Sequence, residues 1–126
     1  MVRFLFLLSA LPQFFGAFGH SYLGERDIFP KITVAKTGLK PQTLRVLRVT
    51  WHMLGVTFMF MGSVLMVLAL KHGVLSIAER RVAMGVSLWY AIVGFASVLY
   101  WGRNIPQGWF FLAVSGLAQL GLHLTP

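Results

Sequence analysis

The stretch Met53–Leu70 contains no charged side chain over its 18 residues. At about 1.5 Å of helical rise per residue it reaches about 27 Å, close to the hydrocarbon thickness of a bilayer. A run of this kind reads as a membrane span, and the rest of the chain agrees with it. Apolar residues make up 57 % of the sequence and charged residues 11 %, against about 25 % charged in soluble domains. A soluble chain of 126 residues buries only about two-thirds of its surface, so the surplus of apolar side chains calls for lipid.

One domain, residues 1–126, is expected. The chain has no cysteine, which excludes disulfides, thiolate metal sites and iron–sulfur clusters and leaves the redox compartment open. The net charge of +8 does not indicate a nucleic-acid partner, because the basic residues flank apolar runs instead of forming a face or a tail. In that position they act as topology signals and contacts for anionic lipid.

Arg3 followed by Phe4–Phe15 imitates the charged and apolar regions of a signal peptide. The next residues, Gly16-Ala17-Phe18-Gly19, make a poor cleavage site because Phe18 intrudes, and the apolar run continues to Gly19. A retained helix is the expectation; cleavage, leaving three spans, is the alternative.

Four spans follow in order, at about residues 4–20, 50–70, 82–101 and 107–122, with an interfacial loop over residues 21–42. The expected fold is all-α, an integral membrane antiparallel four-helix bundle. Pro12 removes a backbone donor and should kink the first span, with Gln13 available to the freed carbonyl. Gly16 and Gly19 permit a close neighbour. Pro30, Gly38 and Pro41 punctuate the loop, and its apolar residues should lie along the interface with the lysines toward headgroups. Thr43 is a plausible N-cap for the second helix. On that helix Arg45, Arg48, His52, Gly55, Met59 and Gly62 or Ser63 share one face at three-and-four spacing, which should look toward other helices. Lys71–Arg81 reads as a short turn, and Gly85, Gly94 and Ser97 as packing positions of the third span. Tyr100, Trp101 and Trp109 anchor the interface around the last connection.

The first and third connections carry Arg26, Lys31, Lys36, Lys40, Arg45, Arg48 and Arg103, seven in all, while the opposite side carries Arg3, Lys71, Arg80 and Arg81, which is four. The positive-inside rule then puts the long loop in the cytoplasm and both termini outside.

Antiparallel threading brings His20, Tyr22, Glu25, Arg26, Asp27, Arg45, Arg48, His52 and Arg103 to one leaflet. The sharpest chemical reading of this set is a metal site. His20 and His52 supply imidazoles on adjacent helices, and Glu25 or Asp27 completes a nitrogen and oxygen set suited to zinc, iron or copper. The same two histidines could instead be axial ligands of a haem whose propionates meet Arg45 and Arg48. The plainer reading is an interfacial ion pair that fixes the loop, Glu25 with Arg26, Arg45 or Arg48. Ser21 beside His20 is not by itself a catalytic pair, since sequence neighbours need not face each other. A lipid-modifying enzyme using His20, Glu25 and phosphate-holding arginines is a further reading, and no catalytic residue is assigned. Small multidrug-resistance exporters use an acidic residue within the first helix, and here no span has one at its centre, which argues against coupled transport.

The residues Gly19-His20-Ser21-Tyr22-Leu23-Gly24-Glu25-Arg26, followed by an arginine-rich helix start and Trp51-His52, resemble small uncharacterised bacterial four-helix inner-membrane proteins. The resemblance covers chiefly the first half of the chain. It implies a multi-pass bacterial inner-membrane protein and no particular activity.

The expected function is accordingly that of a scaffold, an accessory subunit or a lipid-contacting protein, with Lys31, Lys36, Lys40, Arg45 and Arg48 on headgroups. Gly16, Gly19, Gly55, Gly62 and Gly94 should hold the bundle, and a homo-oligomer or larger membrane complex fits that role. The alternative is a metal- or haem-binding redox protein using His20 and His52. A small-molecule transporter with Gln13, His52 and Gln119 along one cavity is the third reading.

Overall fold

The computed structural model describes residues 2–32, 37–71, 74–102 and 106–124. Regular structure among them is entirely helical. Helix α1 spans Val2–Leu23 and passes directly into one π-helical turn, Gly24–Ile28. Helix α2 spans Pro41–Leu70, α3 Ile77–Trp101 and α4 Pro106–His123.

Three of the helices, α1 to α3, are long and apolar enough to cross a membrane. The segment expected as a fourth span forms helix α4, but Gln107, Gln119 and His123 dilute its 18 residues and it is not among the helices apolar enough to cross a membrane. Large apolar side chains point outward along the long helices: Phe15 is 76 % exposed, Ile92 60 % and Leu99 84 %. Contiguous apolar surface on that scale suits hydrocarbon as the surrounding solvent.

Local chemistry explains where the helices begin and end. Pro41 opens α2, two residues before the expected Thr43, because its missing N–H is one that a first helical position leaves unbonded and its φ is already helical. Helix α3 starts at Ile77, so residues 77–81, expected in a turn, are helical. Ser76 and Glu79 form a reciprocal capping box there, the Ser76 hydroxyl accepting from the Glu79 N–H at 3.3 Å and the Glu79 carboxylate accepting from the Ser76 N–H at 2.7 Å. At the other end Gly102 takes φ 88° and donates to the Val98 carbonyl. Pro12 lies within α1 without ending it. One turn before it, the Ser9 hydroxyl donates to the Leu5 carbonyl at 2.9 Å.

The largest departure from expectation is at residues 21–28, which continue the helical path instead of opening the loop. Gly19 and Gly24 each subtract roughly 1 kcal/mol from helix stability. Contacts with α2 outweigh that cost, as tertiary packing commonly does for helices of marginal propensity.

The chain divides into two compact units, residues 12–60 and residues 1–11 with 61–126. In the first, the later part of α1 runs antiparallel to the start of α2, with Gly55 beside Ala17 and Ser21, and Arg48 beside Glu25. In the second, α3 and α4 are antiparallel partners. Arg80 donates to the Leu122 carbonyl, Ser87 meets Ser115, and Gly94 meets Gly108. Each step of seven residues along α3 is matched by seven back along α4, the repeat that keeps one seam facing its partner. Small residues at 87, 94, 108 and 115 bring the backbones close, and Tyr90 stacks on Phe111 at 6.0 Å beside them.

Candidate functional site

The site is built from two helical stripes. On α2, Arg48, His52 and Gly55 are separated by four and three residues and share a face. On α1 and the turn that follows, Ser21 and Glu25 are four apart. The antiparallel approach of these stripes within residues 12–60 makes Glu25 the hub of a hydrogen-bonded cluster.

Glu25 accepts from two side chains on that one face of α2. Its Oε1 lies 2.6 Å from Arg48 Nε and 2.7 Å from His52 Nε2, and its Oε2 pairs with Arg48 Nη2. The guanidinium thus grips the carboxylate with two nitrogens, the strongest form of this pair. The other imidazole nitrogen, His52 Nδ1, lies 3.2 Å from Ser21 Oγ. These groups are not deeply buried, since the Glu25 and His52 side chains are 37 % and 38 % exposed. Arg48 also lies over the Phe29 ring, with its Cζ 5.6 Å from the centroid.

A second set of contacts holds the two stripes in register. The Trp51 indole N–H donates to the His20 carbonyl at 2.8 Å. The His20 ring stacks on Trp51, centroids 4.0 Å apart and planes within 7°. Phe58 and Phe29 close the edges of that stack, at 6.0 Å from His20 and 5.9 Å from Trp51. Gly24 faces the indole where any side chain would intrude, and Gly55 does the same for Ser21. The π-helical turn begins at Gly24, and its Phe29 N–H donates to the Gly24 carbonyl at 2.9 Å. π turns within helices are frequent at functional sites.

The expected residues sort as follows. Glu25, Arg48 and His52 come together. His20 takes a separate partner, Trp51, and its Nε2 is buried with no hydrogen-bond partner among the described residues. No group of three His, Cys, Asp or Glu side chains that could hold a metal ion occurs among the described residues. Arg26 does not join the Glu25 cluster; it pairs with Asp27 at 2.8 Å and reaches the Tyr22 hydroxyl at 3.3 Å. Lys31, Lys40 and Arg45 are exposed. Lys36 and Arg103 lie outside the described residues. Of the glycines expected to pack, Gly55 and Gly94 do so, whereas open space surrounds the position a Gly19 Cβ would take.

No family model, curated protein or solved structure matches this chain. Its chemistry is therefore read from the cluster itself. Sequence reasoning overlooked Ser21 as the partner of His52, Gly24 as the seat of Trp51, and Phe29. The four-residue spacing of Ser21 and Glu25, repeated by Arg48 and His52, was the available signal.

Proposed function

We propose that this is a small multi-pass helical bundle of the bacterial inner membrane, acting as a scaffold or accessory subunit that contacts anionic lipid. The carrying observation is a mismatch of charge. The sequence contains three acidic residues and eleven lysines and arginines. All three carboxylates are engaged, Glu25 by Arg48, Asp27 by Arg26 and Glu79 by Lys71. Lys31, Lys40 and Arg45 are exposed and form no ion pair among the described residues, and anionic headgroups beside the apolar helices would be their partners at roughly 1 kcal/mol per basic residue.

Lys31, Lys40 and Arg45, with Lys36 and Arg48, are the proposed headgroup contacts, on a cytoplasmic face between the first two spans with both termini outside. Reconstitution in vesicles of phosphatidylglycerol or of phosphatidylcholine tests the reading. Thermal stability should be higher in the anionic lipid, and the difference should shrink with salt and with glutamine at positions 31, 40 and 45. Equal stability in both lipids would refute it.

A further inference from the structure

A carboxylate can only accept a hydrogen bond, so the His52 Nε2 that lies 2.7 Å from Glu25 carries the ring proton in the neutral imidazole. The lone pair is then on Nδ1, the nitrogen 3.2 Å from Ser21 Oγ. Two other helical hydroxyls donate back to the carbonyl four residues earlier, Ser9 to Leu5 and Thr57 to Met53, both at 2.9 Å. Ser21 instead has His52 Nδ1 as its partner. A hydroxyl, a base within hydrogen-bond reach and a carboxylate that orients the base constitute an activated nucleophile.

We propose that Ser21, His52 and Glu25 form an acyl-transfer site for carboxylic esters bearing an apolar acyl chain. Ser21 Oγ bonds to the ester carbonyl carbon as its proton passes to His52 Nδ1. The carbonyl electron pair, displaced onto oxygen, returns and breaks the bond to the alcohol oxygen, which leaves with the proton from His52. Water then repeats the sequence: its proton goes to Nδ1, its oxygen bonds to the acyl carbon, and Ser21 departs with the proton. The products are an acid and an alcohol, and His52 ends neutral. Glu25 is a positioning residue, fixing the tautomer, and Arg48 holds the second carboxylate oxygen.

The acyl preference comes from the neighbouring stripe of α2. Leu47, Trp51 and Leu54, each one position before Arg48, His52 and Gly55, line an open apolar groove of about 330 Å³ with Thr50, Met53 and Thr57. That volume is at the low end for small-molecule sites, and its lining is almost wholly apolar, as an acyl chain requires.

The test is covalent labelling of the full chain in mild detergent with a long-chain alkyl fluorophosphonate, followed by peptide mapping. Ser21 should be phosphonylated stoichiometrically, and Ser21→Ala should abolish labelling. His52→Ala should slow it by roughly a hundredfold, the scale of general-base catalysis, with partial recovery in added imidazole. His52→Gln, which keeps a polar contact to Glu25 without the base, should lose labelling likewise. Glu25→Asp should retain labelling that Glu25→Gln loses. No adduct on Ser21 in folded wild-type protein, or an unchanged rate in His52→Ala, would overturn the proposal. Loss in His52→Ala without imidazole rescue would overturn the general-base role. These measurements use detergent and leave the lipid-contact reading to its own test.

Discussion

Trp51 occupies the space that a side chain at position 24 would need. A Cβ built on Gly24 would stand 2.8 Å from the indole Cδ1 and 3.0 Å from Cε2. The indole cannot retreat freely, because its N–H donates to the His20 carbonyl and its face is stacked on the His20 ring. Gly24→Ala should therefore destabilise the protein by about 1–3 kcal/mol, the usual cost of overpacking. Thermal unfolding in detergent measures this, and Trp51→Ala in the same background should remove most of the penalty.

Gly55 plays the corresponding part for Ser21. An added methyl would lie 3.0 Å from Ser21 Oγ and 3.3 Å from the Ala17 carbonyl oxygen, and the second contact is backbone. Gly55→Ala should cost about 1–3 kcal/mol and lengthen the Ser21 to His52 hydrogen bond. Both effects are read by thermal unfolding and by the imidazole ¹⁵N shifts of His52. Gly19→Ala, facing open space, should be neutral or stabilising by up to about 1 kcal/mol through helix propensity.

The bidentate grip of Arg48 on Glu25 looks strong but is half in solvent, with the side chains 56 % and 37 % exposed. A double-mutant cycle on Arg48→Ala and Glu25→Ala should return a coupling of only about 0.2–1 kcal/mol, falling with added salt. A coupling of several kcal/mol, insensitive to salt, would mean that the pair is shielded from water.

Ser76 and Glu79 set the start of α3 through their capping box. Ser76→Ala should cost about 0.5–2 kcal/mol, expressed as faster hydrogen exchange at residues 77–80 and little change near Tyr90.

Within the buried seam of α3 and α4, the Ser87 hydroxyl reaches the Ser115 carbonyl at 3.0 Å and its hydroxyl at 3.1 Å. Ser87→Ala should cost roughly 0.6–1.7 kcal/mol, the range for polar contacts between membrane helices. Ser87→Leu should be far more damaging because the seam has no room for it.

The helices were legible because uncharged length leaves few alternatives, as Met53–Leu70 illustrates. The start of α3 was also written in the chain, as Ser-x-x-Glu at 76–79, but the basic pair Arg80-Arg81 suggested a turn and masked it. Which cation Glu25 would choose was not legible. Arg26 is adjacent, yet Arg48 is the partner from 23 positions away, and that choice depends on the rotation of α1 about its axis. The π-helical turn alters that rotation at Gly24 and has no sequence signature of its own, so Ser21 could not be aimed at His52 in advance. His20 and His52 look alike in the sequence, each at the membrane-facing end of an apolar run, whereas an aromatic stack with Trp51 separates the surroundings of His20 from those of His52.

The complete engagement of the three carboxylates bears on how copies of this protein meet one another. Two molecules drifting together in the plane of a bilayer present like charge, with no spare acid on either to bridge the gap. On the proposed lipid-contact reading, anionic phosphate between two such faces relieves that repulsion, and the lipid composition of the membrane then bears on whether copies cluster or stay dispersed.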